Sequence, residues 1–243
     1  FNVRLDGFKL KLLGMTLMLL DHMKQFLPDM PIWSGWLGRI VAPIFFYFIV
    51  EGFFHTRNRV KYMLRLFTWA VITKLGSTLL TLALPSESVS IMNNIFLSLL
   101  LALLLLTAIE WTKQTRNYAL GTLYIILAIM GGSITEASIL GVALTLIFYL
   151  FRERKGLMAF AYVVVMLLIS LGLRSLGVPT EEVFSYDNLF VLNYQWMMIF
   201  AIIPILLYNG ARGYHAKWSK YMFYVFYPAH IWILYTTGML IRG

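Results

Sequence analysis

TLMLLDHMKQFL, residues 16–27, sets Asp21 and His22 side by side in a run that is otherwise largely apolar. Ionisable groups at membrane depth cost at least about 2.5–3.5 kcal/mol each, so they face a protein or water interior rather than lipid. The surrounding composition supports that setting. Of 243 residues, 60% are hydrophobic and 13% charged, against about 25% charged in ordinary soluble domains. Apolar windows follow one another almost without pause, which predicts an all-α, polytopic integral membrane helix bundle and a single domain over residues 1–243. The windows number about nine: roughly 9–27, 36–54, 62–83, 91–110, 118–131, 136–151, 156–173, 189–208 and 220–240.

The distribution of cations orients the windows. Arg4, Lys9, Lys11, Arg57, Arg59, Lys61, Arg65, Lys113, Arg116, Arg152, Arg154, Lys155, Arg212, Lys217 and Lys220 fall in alternate connections. The opposite connections hold Lys24, Arg174 and Arg242 among the acids Asp29, Glu87, Glu136, Glu181, Glu182 and Asp187. The positive-inside rule then puts the N-terminus in the cytoplasm and 174–188 in an external loop. It also accounts for most of the net charge of +9 without a nucleic-acid partner. No cysteine is present, which excludes thiol catalysis and Cys-ligated metal. No short apolar leader with a small-residue cleavage site precedes the first window, so a signal peptide is not expected.

Buried polar groups are the functional candidates. On the first window His22 follows Lys11 by eleven residues, nearly three helical turns, so both share a face about 16 Å apart. Met15 and Met18 complete that stripe. Asp21 is turned about 100° away and is expected to anchor a neighbouring helix or to bond Arg39 as a buried pair. The second window carries Arg39, Pro43 and Glu51, with His55 one turn beyond Glu51 in helix-pair spacing. Lys74 is expected to snorkel outward, and Asn94 to cap the fourth window. Late in the chain, Tyr208, Asn209 and Arg212 lie in a glycine-bearing turn that offers either an anion site or a plain interhelical connection. Pro228 interrupts the last window between Tyr227 and His230.

The ordered blocks LKLLGMTLMLLDHM, GRIVAPIFFYFIVEGFFHTRNRVKYMLRL, NNIFLSLLLALLLL, LLYNGARG and FYVFYPAHIWILY resemble the TraX family, named for a protein linked to N-terminal acetylation of conjugative pilin. Residues 110–190 match it poorly, and TEASILG at 135–141 stands where a polar block is expected. TraX-like proteins are similar to the acyltransferase-three superfamily, whose first helix carries a basic residue, ten intervening residues and then a His, the spacing of Lys11 and His22. The resemblance implies a membrane acyltransferase, most simply an acetyltransferase, in the bacterial cytoplasmic membrane. It would move an acyl group from cytoplasmic acyl-CoA, without a metal, to an amine or hydroxyl of a peptide, glycan, lipid or small-molecule acceptor. His22 would then be general base, supported by Asp21, with Arg39 or His230 at the oxyanion. Lys11, Arg57, Arg59, Lys61, Arg65, Asn209 and Arg212 would hold the CoA, and Glu51, His55, Asn94, Tyr208 and Tyr227 are further polar candidates. Two other classes use the same residues: a proton-coupled transporter with a polar relay, and an assembly or scaffold protein whose buried charges only specify packing.

Overall fold

The computed structural model describes residues 4–86, 89–173, 179, 182–214, 216 and 218–242. All its named elements are helical: α1 (Gly7–Phe26), α2 (Ile32–Gly38), α3 (Val41–His55), α4 (Arg59–Ala83), α5 (Ile95–Thr115), α6 (Tyr118–Ser133), α7 (Ser138–Leu150), α8 (Lys155–Leu167), α9 (Ile202–Leu207) and α10 (Ser219–Arg242), with π turns at Leu168–Leu173 and Asp187–Leu192 and a 3₁₀ segment at Tyr194–Ala201. Glu87, Arg174, Glu181, Lys217 and part of the expected loop 174–188 lie outside the described residues.

Short polar side chains decide where several helices begin. Asp6 accepts the N–H of Lys9 at 2.8 Å, Asn58 that of Lys61 at 2.9 Å, Asn94 that of Leu97 at 3.3 Å and Asn117 that of Leu120 at 3.2 Å. Each such cap contributes about 1 kcal/mol by satisfying a backbone donor that the first helical turn leaves open. The expected cap at Asn94 is therefore present.

Among the described residues, four helical stretches are long and apolar enough to cross a membrane: Ile32–His55, Arg59–Ala83, Ile95–Thr115 and Lys155–Gly172. The protein is a membrane protein, with four such candidates in place of the nine expected. The difference has local causes. The nine windows do fall on helices, but α6 and α7, of 16 and 13 residues, reach only about 24 and 20 Å, short of a hydrocarbon core of about 30 Å. Lys9, Lys11, Asp21 and Lys24 interrupt α1, and window 189–208 is split among π, 3₁₀ and α pieces. Lys74 is exposed on α4, as its snorkelling requires.

The chain falls into two compact units, residues 1–44 with 154–243 and residues 45–153. In the first, α1 packs on α2 and α10, while α8 packs on α9 and the 3₁₀ segment. Leu10, Phe26, Tyr162, Tyr227, Ile231 and Tyr235 are fully buried there. Its N-terminal segment is fastened by main chain: Leu5 pairs with Tyr208 in a parallel bridge, and the N–H of Gly7 donates to the carbonyl of Ala211 at 2.8 Å. In the second unit α5 packs on α4, α6 and α7. Phe46, Phe53, Phe96, Leu103 and Phe148 form its buried interior.

Candidate functional site

In the first unit, α1 presents Met15, Met18 and His22 on its buried face, and Lys11 at the head of that stripe is half-buried. His22 meets His230 of α10, Nδ1 to Nε2 at 2.6 Å, with both side chains at most 5% exposed. The hydrogens follow from the neighbours. His230 Nδ1 lies 2.7 Å from the carbonyl oxygen of Phe226, which can only accept, so this nitrogen donates. In a neutral pair His230 Nε2 then accepts, and His22 Nδ1 donates to it. Tyr227 stands edge-on to both imidazoles, at 6.1 and 5.9 Å between centroids, and Phe226 stacks on His230 at 4.4 Å.

Asp21, one residue back, faces α2. Its Oδ1 accepts from Arg39 at 2.5 Å, and Arg39 also donates to Gln195 Oε1 at 3.2 Å and to the carbonyl of Gly35 at 3.4 Å. The guanidinium sits 5.7 Å from the Tyr194 ring. The expected Asp21–Arg39 pair is thus formed. Gln195 and Tyr194 were not legible in advance, because the 3₁₀ segment joins α2 only through tertiary packing. Glycines make the approach feasible: a methyl on Gly38 would overlap Asp21, and one on Gly35 would lie 3.0 Å from the Tyr194 hydroxyl.

The turn after α9 is self-contained. Asn209 Oδ1 accepts the N–H of Ala211 at 2.8 Å, its N–H donates to Leu5, and Gly210 and Gly213 adopt φ of +79° and +71°. Of the two readings of this turn, the structural connection explains the side chain of Asn209. The backbone of Tyr208 is held by Leu5 and Lys155, and Arg212 is exposed.

The second unit gathers its own polar residues. Glu51 takes Arg152 through Nε at 2.8 Å and a second contact at 3.4 Å. His55 bonds the carbonyl of Glu51 at 2.8 Å and stands 3.7 Å from its carboxylate. Helix-pair spacing therefore found the weaker partner, while Arg152, a hundred residues away, is the stronger one. The carboxylate holds the Arg152 guanidinium above its usual range. Arg152 lies over Phe54, which stacks on Tyr149, whose hydroxyl bonds both Glu110 and Lys113. Glu110 and Tyr149 were missed because no local pattern links α5 to α7. Arg59 folds over Phe53 at 3.8 Å and Arg65 over Tyr62 at 5.2 Å, while Arg57 and the side chain of Lys61 face outward. Asn94 donates to the carbonyl of Ala70 at 2.9 Å, and Glu136, in the departing block 135–141, receives the N–H of Asn94 at 2.6 Å.

A family described as TraX protein matches residues 7–237. A Dichelobacter nodosus protein named "Probable fimbrial assembly protein FimC, serogroup H1" is 28% identical over 256 residues, spanning 99% of each chain. No solved structure matches. These findings correct the expected activity. The relative is named for fimbrial assembly, and neither its name nor the family description indicates an enzyme or an acetyl-CoA reaction, so the acyl-CoA-dependent acyltransferase reading is withdrawn, as is the transporter alternative. The family match carries no link to the acyltransferase-three superfamily.

Proposed function

The chain belongs to the TraX family, and on that premise we propose that it is an integral membrane protein of fimbrial assembly, seated in the bacterial cytoplasmic membrane. The observation that carries the reading is the similarity to a protein named for fimbrial assembly across 99% of both chains. An alignment of that extent covers both units rather than one shared segment.

The buried polar residues fit the assembly class through their partnerships. Asp21 with Arg39 and His22 with His230 are satisfied within the first unit, and Glu51 with Arg152 within the second. Buried charges of this kind specify which helix faces meet, and their retention is best attested where register matters. In this reading α1 and α10 also cross the bilayer. Twenty residues of α1 measure about 30 Å, and its mid-helix polar groups are turned onto α2 and α10 instead of lipid. The basic connections lie in the cytoplasm, as the positive-inside rule requires.

Deletion of the gene in its own host, followed by electron microscopy of surface fimbriae and immunoblots of sheared and cell-bound subunit, tests the proposal. Surface fimbriae are expected to disappear while subunit stays with the cells, and the wild-type chain should restore them. Unchanged fimbriation would overturn it.

A further inference from the structure

Between α5 and α6 of the second unit runs a groove of about 500 Å³, lined by Leu101, Leu104, Ala108 and Trp111 on one side and Tyr124 and Leu127 on the other. Thr107 also borders it, but its hydroxyl is spent on the carbonyl of Leu103 at 2.8 Å. The groove therefore offers hydrocarbon and almost no hydrogen bonding.

Its length and its ends identify what fits. From Leu101 to Trp111 is ten residues of helix, about 15 Å, or half of a hydrocarbon core of about 30 Å. That is the depth of one leaflet. α5 is itself long and apolar enough to cross a membrane, so the groove opens where acyl chains lie. One end is marked by Trp111 and Tyr124, packed edge-on at 5.5 Å. This amphipathic pair suits the headgroup level. Just beyond, the last turn of α5 carries Lys113 and the α5–α6 connection carries Arg116. Lys113 is already engaged by Glu110 and Tyr149. Arg116 is exposed, held at the end of α5 with φ of +57°, and among the described residues no carboxylate pairs with it.

We propose that the α5–α6 groove holds an acyl chain of one anionic phospholipid, whose headgroup meets Arg116 at the basic end. The apolar wall provides the depth of a single leaflet, and the cation selects negative headgroups over zwitterionic ones of the same chain length. The site lies wholly in the second unit and is independent of the assembly role.

The test is native mass spectrometry of the detergent-purified chain after exchange into phosphatidylglycerol or phosphatidylcholine with matched acyl chains. The wild type is expected to retain one phosphatidylglycerol under conditions that strip looser lipid. Arg116→Gln should cut the preference for phosphatidylglycerol about fivefold, and this exposed position leaves the fold intact. Leu104→Trp, on the 39%-exposed rim of the groove, should fill it and eject the lipid. Equal retention of both lipids by the wild type, retention unchanged in Leu104→Trp, or preference unchanged in Arg116→Gln would overturn the proposal. So would light scattering that shows a dimer broken by Leu104→Trp, since a second copy would then occupy the groove.

Discussion

His22 and His230 are 208 residues apart in the chain, yet their ring nitrogens stand 2.6 Å from each other inside the first unit. With His230 Nδ1 committed to the Phe226 carbonyl, the two imidazoles form a single directed chain of donors and joint α1 to α10. Replacing either ring by Ala leaves the other with an unmet donor or acceptor, so the single losses should not add. A double-mutant cycle on unfolding in detergent is expected to give a coupling of about 0.6–1.7 kcal/mol, the range found for interhelical hydrogen bonds in membrane proteins. Strict additivity would show that the two residues act separately.

The Asp21–Arg39 pair should respond more to loss of one partner than to loss of both. Its side chains are 21% and 28% exposed, so Arg39→Met, which strands a half-buried carboxylate, is expected to cost about 1–3 kcal/mol, below the figure for a fully buried pair. The double change Asp21→Leu with Arg39→Met should recover most of that loss. Thermal aggregation of the solubilised protein reads the difference. A double variant less stable than Arg39→Met would refute this account of the pair.

Three glycines should rank by what a methyl would strike. On Gly238 it would overlap the Phe26 carbonyl oxygen, which is fixed main chain, and on Gly38 the Asp21 side chain, which has some freedom. Gly238→Ala is therefore expected to be the most damaging and Gly38→Ala next, each at about 1–3 kcal/mol or more. Gly156→Ala meets nothing within 4 Å in α8 and should stabilise by about 0.5–1 kcal/mol through reduced backbone entropy. Melting temperatures of the three variants check the order.

The orientation is open to direct labelling because the chain has no cysteine of its own. Ser90→Cys and Gln114→Cys would place single thiols just before α5 and in its last turn. An impermeant maleimide should reach Ser90→Cys in intact inner-membrane preparations and Gln114→Cys only after permeabilisation, as the cations at that end require. The reverse pattern would invert the topology.

What the amino-acid sequence determined by itself is what local chemistry controls. Helix positions were legible because apolar windows and cap residues such as Asn58 and Asn94 act within a turn of where they stand. The Asp21–Arg39 pair was legible because two unlike charges separated by one tight connection have few other partners. Membrane character followed from composition alone. The number of membrane crossings did not, since α6 and α7 fall short of bilayer length and α1 carries charges whose partners lie elsewhere in the chain. Only tertiary structure decided that His22 is answered by His230, that Glu51 prefers Arg152 to the nearby His55, and that Tyr149 joins Glu110 to Lys113. Each of those contacts closes a loop of tens to hundreds of residues. Side-chain spacing along one helix states which way a group points, whereas the packing of other helices onto that face decides what it meets.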